Sequence, residues 1–268
     1  MIYAEVIGDP IAHSRSPIIH RFWLGQLGID ADYRATRVVP DELAGYFEAR
    51  RADPNWRGCN ITVPHKEAAL AHVPDPGGVR ETIGAINTVF RDDQNGIAGT
   101  NTDAAGFWSP ISALDLAGKR VAVVGAGGAA RAILFALSRI DVGPVTILNR
   151  SPLKAAGLLA LFGLKGNVLP LSGPLPSASL LVNASTLGMA GQPALELDLS
   201  PLPDDAVVYD IVYAPLQTPL LKAAEERGLG TIDGLEMLIG QAAPAFELFF
   251  GAEPPRDRDD ELRDLLIS

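Results

Sequence analysis

Short apolar runs and segments of helical periodicity alternate along the chain, the pattern of an α/β protein. Ile2 to Gly8, Ala31 to Val39 and Arg57 to Val63 predict three strands in the first hundred residues. Pro17 to Leu27, with apolar Ile18, Phe22 and Leu24, predicts an amphipathic helix. Asp41 reads as the N-cap of a helix running to about Ala52, and a further helix is expected to begin near Pro64. Ile86 to Asp92 and Gly96 to Thr102 flank the turn Asp93-Gln94-Asn95 and predict a hairpin.

The texture changes at Gly118. Lys119 to Gly125 is an almost unbroken apolar strand, as in a parallel sheet covered on both faces. A helix, a strand over Val145 to Leu148, a helix from Ser151, and strands over Leu180 to Ala184 and Val207 to Val212 follow. Another helix and a strand over Thr231 to Asp233 complete this part, and Pro170 to Ser179 reads as a loop. Leu235 to Phe250 predicts a long apolar helix interrupted by Pro244, and Asp259 to Ile267 a charged final helix. The expected division is an α/β domain over 1–103 and a Rossmann-type dinucleotide-binding domain over 104–235, with the helical segment 236–268 packing back on the first.

Composition narrows the function classes. At 268 residues, 47% hydrophobic and 20% charged, the chain has ordinary globular make-up for one large or two medium domains. A net charge of −10 argues against nucleic acid or an anionic membrane as the main partner, while a local pocket can still be positive. The single cysteine, Cys59, excludes an intramolecular disulfide and reads as a buried small residue. No Cys/His cluster suggests zinc, so no metal is expected. The N-terminus lacks a signal-peptide pattern and no apolar run is long enough to span a bilayer, so a cytoplasmic protein, monomer or homodimer, is expected.

The clearest chemical signal is Gly125-Ala126-Gly127-Gly128-Ala129-Ala130-Arg131, directly after a buried strand and opening a helix. It is G-x-G-x-x-A in the context the dinucleotide fingerprint requires. Gly125 permits the tight turn, Gly127 lets the backbone approach a pyrophosphate, and Ala130 allows close helix–sheet packing. The next strand ends in Asn149-Arg150, with Lys154 beyond, where NAD-binding folds usually carry an acid for the ribose 2′-OH. A guanidinium fork and a second cation in place of that carboxylate favour NADP; the alternative is two solvated charges near a helix start.

Three polar clusters interrupt the apolar pattern of the first domain. Ser14 and Ser16, followed by Pro17, form either a simple N-cap or a small anion site at a strand-to-helix junction. In Asn60-Ile61-Thr62-Val63-Pro64-His65-Lys66, Thr62 is a possible N-cap. Lys66 then falls in a first helical turn, where the dipole disfavours a cation; it either swings into solvent or serves as an acid or base. Asn87 and Asn101 read as turn residues. Asp103 reads as the cap of a helix at Ala104, as a partner for Lys66, or both. His13 and His65 read as loop or cap groups.

Together these segments resemble the shikimate dehydrogenase family. The likeness runs in order through Ser14-x-Ser16-Pro17, Asn60-x-Thr62-x-Pro64-x-Lys66, Asn87-Thr88, Asn101-Thr102-Asp103, the glycine loop and Asn149-Arg150. It continues through Asn183-Ala184-Ser185-Thr186, Asp210-x-x-Tyr213-x-Pro215-x-x-Thr218-Pro219-Leu220 and Gly234-x-x-Met237-Leu238-x-x-Gln241. Arg21 stands where the family often has Asn, and Asn183-Ala-Ser-Thr-Leu replaces the commoner Asn-Ala-Thr-Pro. The resemblance implies Lys66 and Asp103 as the catalytic pair. It implies Ser14 and Ser16 at a substrate carboxylate, Thr62, Asn87 and Gln241 at hydroxyls, and Tyr213 near the carboxylate and nicotinamide. For the cofactor it implies Gly125, Ala126, Gly127, Gly128, Ala129, Asn149, Arg150, Lys154 and Thr186, with Gly234 and Met237 at the nicotinamide. The implied fold is an N-terminal substrate domain plus a Rossmann-type NADP domain with the active site in the interdomain cleft. The implied reaction is NADP-dependent reduction of 3-dehydroshikimate to shikimate in chorismate and aromatic amino-acid biosynthesis. The alternatives are an NAD-preferring quinate/shikimate dehydrogenase, a non-catalytic NADP-binding regulator, and a methylene-tetrahydrofolate dehydrogenase. The missing acid at Asn149, the presence of both Lys66 and Asp103, and the Ser14/Ser16 pair argue against them in turn.

Overall fold

The computed structural model describes residues 1–92, 94 and 96–267. Two compact units form, Met1–Thr102 with Ile239–Ser268, and Asp103–Leu238. The first unit runs β1 (Ile2–Gly8), α1 (Ser16–Leu27), β2 (Ala31–Arg37), α2 (Leu43–Ala52), β3 (Trp56–Ile61), α3 (Val79–Thr82), β4 (Thr88–Arg91) and β5 (Ile97–Thr100). The second runs α4 (Asp103–Ile111), β6 (Val121–Val124), α5 (Gly128–Leu137), β7 (Val145–Asn149), α6 (Pro152–Leu161), β8 (Gly166–Pro170), β9 (Leu180–Asn183), β10 (Val207–Asp210), α7 (Pro219–Glu226) and β11 (Gly230–Ile232). Helix α8 (Gly234–Phe250) spans the division, and α9 (Asp259–Ile267) lies in the first unit, packed on α1.

The first sheet has the order β2-β1-β3-β4-β5, with β1 parallel to β2 and β3, and β4 antiparallel to β3 and β5. β4 and β5 form the expected hairpin; Asp93 and Asn95 of its turn lie outside the described residues. β1 is buried almost throughout, yet carries Glu5, which is 1% exposed. That carboxylate is accommodated by Arg50 Nε at 2.6 Å, the Tyr46 hydroxyl at 2.8 Å and the Thr36 hydroxyl. Unpaired, it would be prohibitively costly to bury.

Several local expectations are corrected. α1 begins at Ser16 and its N-cap is Arg15, so Ser16 lies inside the helix; the Ser16 N–H donates to Ser14 Oγ at 3.3 Å. Asp41 does not cap α2: it lies in a 3₁₀ turn, Pro40–Glu42, and the N-cap of α2 is Glu42. β2 ends at Arg37, short of that proline turn. No α-helix begins at Pro64. The chain turns through 62–67 and then makes one 3₁₀ helix, Ala68–Ala71, so Thr62 caps nothing and Lys66 faces no α-helix dipole. β8 is an additional strand at the sheet edge; it is mostly exposed and holds a glycine and a proline, so it shows no apolar alternation. Pro244 does not interrupt α8, which is continuous. A proline inside a helix costs about 3 kcal/mol. Burial of Ala245 and Phe249 on the first sheet, and of Phe246 against His20 and Trp23 of α1, offsets it.

The second sheet is all parallel, in the order β11-β10-β9-β6-β7-β8. The chain winds outward from β6 through β7 to β8, then returns to β9 on the other side of β6 and winds outward again. The strand order therefore reverses between β6 and β9, and doubly wound sheets bind ligands at the carboxyl ends of such strands.

Close packing in the first unit is tightest where α8 crosses β3. A Cβ at Gly58 would stand 2.4 Å from the Phe249 ring and 2.4 Å from the Val89 carbonyl. Gly58→Ala is expected to destabilise the protein by about 1–3 kcal/mol or more, because the obstruction includes backbone. A chemical denaturation midpoint unchanged from wild type would show that α8 is not seated this closely.

Candidate active site

In the first unit the chain ties three segments together around Asn87. The Asn87 carbonyl accepts from the Ile61 N–H at 2.7 Å, its own N–H donates to the Thr100 carbonyl at 3.1 Å, and the adjacent Ile86 N–H donates to the Lys66 carbonyl at 2.8 Å. Asn87 is therefore no turn residue: it is 1% exposed and bridges the ends of β3 and β5. Its Oδ1 accepts from the Thr102 N–H at 2.7 Å, and its Nδ2 donates to Thr102 Oγ1 at 2.9 Å and Gln241 Oε1 at 3.4 Å. Asn101 donates to the Ala85 carbonyl at 2.8 Å and secures the same strand start.

The Thr62–Lys66 turn is held from its other side. Thr62 N–H donates to the Ile7 carbonyl at 2.9 Å, Asp9 N–H to the Val63 carbonyl at 3.1 Å, and His65 N–H to the Thr62 carbonyl at 3.0 Å. His65 is no cap group: it is 1% exposed, with Nε2 2.7 Å from the Val38 carbonyl. The structure thus brings Thr62, Lys66, Asn87 and Gln241 onto one hydrogen-bonded frame. Ser14 is half-buried and Ser16 buried at the start of α1, which follows β1. Arg21 is exposed and paired with Asp32 at 3.0 Å. Cys59 is fully buried, and burial pushes its thiol pKa up, away from nucleophilic use.

In the second unit, Gly125 follows β6 with φ +111°, and a Cβ there would stand 3.0 Å from the Ala184 carbonyl at the end of β9. Only glycine fits at this point. Gly127 differs: nothing lies within 4 Å of where its Cβ would stand, so the backbone is open to a ligand. Gly127 is the N-cap of α5 and no side chain caps that end. An open glycine, an uncapped helix start and a switch point together fit a dinucleotide pyrophosphate. Ala126 and Ala130 are buried, while Gly128 and Ala129 are half-buried in the first turn. Asn149 Nδ2 closes the next turn on the Ser151 carbonyl at 2.9 Å, and Arg150 and Lys154 are exposed beside it. Thr186 is exposed in the loop after β9, and Tyr213 is half-buried after β10. Gly234 has no room for a side chain, with a Cβ 2.4 Å from the Ile211 carbonyl. Met237 is 6% exposed and belongs to the apolar core of this unit. Asp103 is 4% exposed at the start of α4.

Two residues to which sequence reasoning assigned no role organise the loop bearing Thr186. Asp210, fully buried at the end of β10, accepts from Asn183 Nδ2 at 2.9 Å, the Val212 N–H at 3.0 Å and the Thr218 hydroxyl at 2.8 Å. Asn183 in turn accepts from Ser185 N–H at 3.1 Å and Ser185 Oγ at 2.7 Å. The signal was available: a lone carboxylate closing an apolar strand must find partners.

Among the described residues, no group of three or more His, Cys, Asp or Glu could hold a metal ion. No helix of the described residues is long and apolar enough to cross a membrane.

A model of the shikimate dehydrogenase substrate binding domain matches residues 6–89, and a model of the shikimate 5′-dehydrogenase C-terminal domain matches residues 234–259. The chain is 68% identical over 266 residues to the shikimate dehydrogenase (NADP(+)) of Sphingopyxis alaskensis, covering 99% of this chain and 97% of that one. The chain belongs to the shikimate dehydrogenase family. Solved structures of the family share its fold. The shikimate 5-dehydrogenase of Thermus thermophilus, in complex with NADP(H) and shikimate, is 37% identical with TM-score 0.87, covering 99% of this chain and 100% of that one. The quinate dehydrogenase of Corynebacterium glutamicum, in complex with NAD, is 31% identical with TM-score 0.86, covering 98% of this chain and 99% of that one.

Burial raises the Asp210 pKa from 3.8 to about 6, against the three hydrogen bonds that favour its charged form. The folded chain therefore holds this proton more tightly than the unfolded chain. The stabilising contribution is full below about pH 4, falls as pH rises to about 6, and is constant above. The loss amounts to roughly 2–3 kcal/mol. Asp210→Asn cannot titrate, so wild-type Tm minus mutant Tm should fall by several degrees between pH 4 and 6.5. A pH-independent difference in a thermal melt series would show that Asp210 is not proton-linked.

Proposed function

We propose that this chain catalyses the reversible, NADP-dependent reduction of 3-dehydroshikimate to shikimate, an alcohol-forming step of chorismate and aromatic amino-acid biosynthesis. It acts in the cytoplasm on a small molecule, without nucleic acid, as a monomer or homodimer. The observation that carries the reading is near-full-length identity of 68% to a relative named for this reaction. The arrangement of the first unit fits the substrate, a small ring bearing one carboxylate and several hydroxyls.

Ser14 and Ser16 take the carboxylate. Because Ser14 Oγ already accepts from the Ser16 N–H, its own hydroxyl proton is left to donate to an anion. Thr62, Asn87 and Gln241 hold the ring hydroxyls. Lys66, on a turn whose backbone is tied to Ile86 and, through Thr62 and His65, to β1 and to Val38 just beyond β2, exchanges a proton at Nζ with the reacting oxygen. Asp103 is the second member of the catalytic pair, and Tyr213 adds a hydroxyl beside the carboxylate.

NADPH, when bound, supplies the hydride. Gly125, Ala126, Gly127, Gly128 and Ala129 receive its pyrophosphate, and Arg150 with Lys154 its 2′-phosphate, flanked by Asn149. Thr186, Gly234 and Met237 line the nicotinamide end. Gly234 does so through backbone, since no side chain fits there.

An oxidation assay crossing shikimate and quinate with NADP and NAD tests the whole reading. Shikimate with NADP should be the best pair; faster quinate oxidation with NAD would overturn it. Arg150→Ala should weaken NADP by roughly 10- to 150-fold, a lost charge-assisted contact of about 1.5–3 kcal/mol, while leaving NAD nearly unchanged. Equal effects on both cofactors would remove Arg150 from the 2′-phosphate.

Lys66→Ala should cut kcat by about 10²–10⁴-fold with substrate KM largely kept. Lys66→Arg should be nearly as slow, because a guanidinium does not give up its proton near neutral pH. Near wild-type kcat in Lys66→Arg would reduce Lys66 to a fixed positive charge.

A further inference from the structure

A line of buried polar side chains crosses the first sheet and ends at the substrate site. The Tyr33 hydroxyl, on β2, donates to Asn60 Oδ1 on β3 at 2.6 Å. The intervening β1 residue in register with Tyr33 is Ala4, small enough to let the phenol reach across. Asn60 Nδ2 donates to Thr88 Oγ1, its register partner on β4, at 3.1 Å. The Thr88 hydroxyl donates to Asn87 Oδ1 at 2.9 Å. Tyr33 and Thr88 are fully buried, Asn60 is 4% exposed and Asn87 1%.

We propose that Asn60 and Thr88 are positioning residues for substrate recognition: this chain of hydrogen bonds dictates which end of the Asn87 amide meets the substrate. The proposal rests on the reading of Asn87 as a hydroxyl-binding residue.

The direction of the chain follows from groups that have only one role. Asn60 Nδ2 lies 3.5 Å from the Asn87 carbonyl, which can only accept, so the nitrogen of Asn60 faces β4 and its oxygen faces Tyr33. Thr88 accepts from that nitrogen and gives its single proton to Asn87. At the other side of Asn87, the Thr102 backbone N–H can only donate, and it also meets Oδ1, at 2.7 Å. Two donors converge on one oxygen, so Nδ2 is turned toward Thr102 Oγ1 and Gln241 Oε1. A reversed amide would set an N–H₂ against the Thr102 N–H, which can only donate, and would take from the Thr88 proton its acceptor at 2.9 Å. Asn87 therefore faces Gln241 with a donor, and a substrate hydroxyl can accept that proton only by replacing the long 3.4 Å contact to Gln241 Oε1, with no reversal of the Asn87 amide. The far end is anchored by packing: the Tyr33 ring stacks on His20 at 3.9 Å, and burial holds that imidazole neutral, with its pKa pushed down to about 3.

The test separates orientation from mere stability. Thr88→Val keeps the shape and removes the hydroxyl; Thr88→Ser keeps the hydroxyl and removes a methyl. Thr88→Val should raise shikimate KM about 10-fold, with kcat within about threefold and NADP KM unchanged. Thr88→Ser should stay within about twofold of wild type in shikimate KM, even where its melting temperature falls as far. Asn87→Ala is the reference. It should raise shikimate KM by at least as much, and the Asn87→Ala/Thr88→Val double variant should be no worse than Asn87→Ala alone. If Asn87→Ala raises KM and Thr88→Val behaves like Thr88→Ser, the positioning role is overturned while the site stands. If Asn87→Ala leaves KM unchanged, the assignment of Asn87 falls and this inference with it. Should Thr88→Val fail to fold, Tyr33→Phe carries the same test: a rise of about threefold in shikimate KM supports the relay, and no change overturns it.

Discussion

A backbone N–H can only donate, a backbone C=O can only accept, and neither can be buried unmet. At Asn87 that constraint decides the arrangement of the first unit. Its N–H is taken by Thr100, its C=O by Ile61, and the preceding Ile86 N–H by Lys66. Two adjacent residues, Ile86 and Asn87, therefore tie the ends of β3 and β5 to the turn that bears Lys66. The frame that would hold substrate hydroxyls and the lysine that would exchange a proton are set by the same few main-chain bonds. Removing the side chain of Asn87 would leave that frame; displacing its backbone would not.

The second unit meets a different constraint, that of space. Gly125 is pressed against the end of β9, where a Cβ would meet the Ala184 carbonyl, whereas Gly127 is open where a ligand backbone could approach. The two glycines of one motif thus work by opposite means: one lets the protein approach itself, the other lets a ligand approach the protein. The Asp210–Asn183–Ser185 bonds then set the loop that follows β9, so the switch point is walled on one side by glycine and on the other by a buried carboxylate network.

Much of this was legible in the chain. β6 and the glycine loop were readable because a four-residue apolar strand followed by G-x-G-x-x-A has few other uses. The cofactor NADP was readable because an acid is missing at Asn149-Arg150, where NAD-binding folds usually carry one. The relay through Tyr33, Asn60 and Thr88 was not. Its members stand 27 and 28 residues apart, and no spacing rule links a phenol on one strand to an amide two strands away. The turn at Lys66 reads as the start of an α-helix because Pro64 resembles a first-turn proline. Backbone bonds to Ile7, Asp9 and Ile86 hold the segment in turns instead.

By itself, the amino-acid sequence determined the alternation of strands and helices, the dinucleotide loop, its preference for a phosphate-bearing cofactor, and the family. These are local or ordered in one dimension: periodicity, glycine placement and the sequence of motifs survive without knowing what touches what. Tertiary structure alone decided that Pro244 lies within an unbroken helix, that His65 is a buried pin on Val38, and that the Asn87 amide faces one way. Each of those outcomes depends on which donor, acceptor or apolar face happens to be opposite, and that is settled only when distant strands come together.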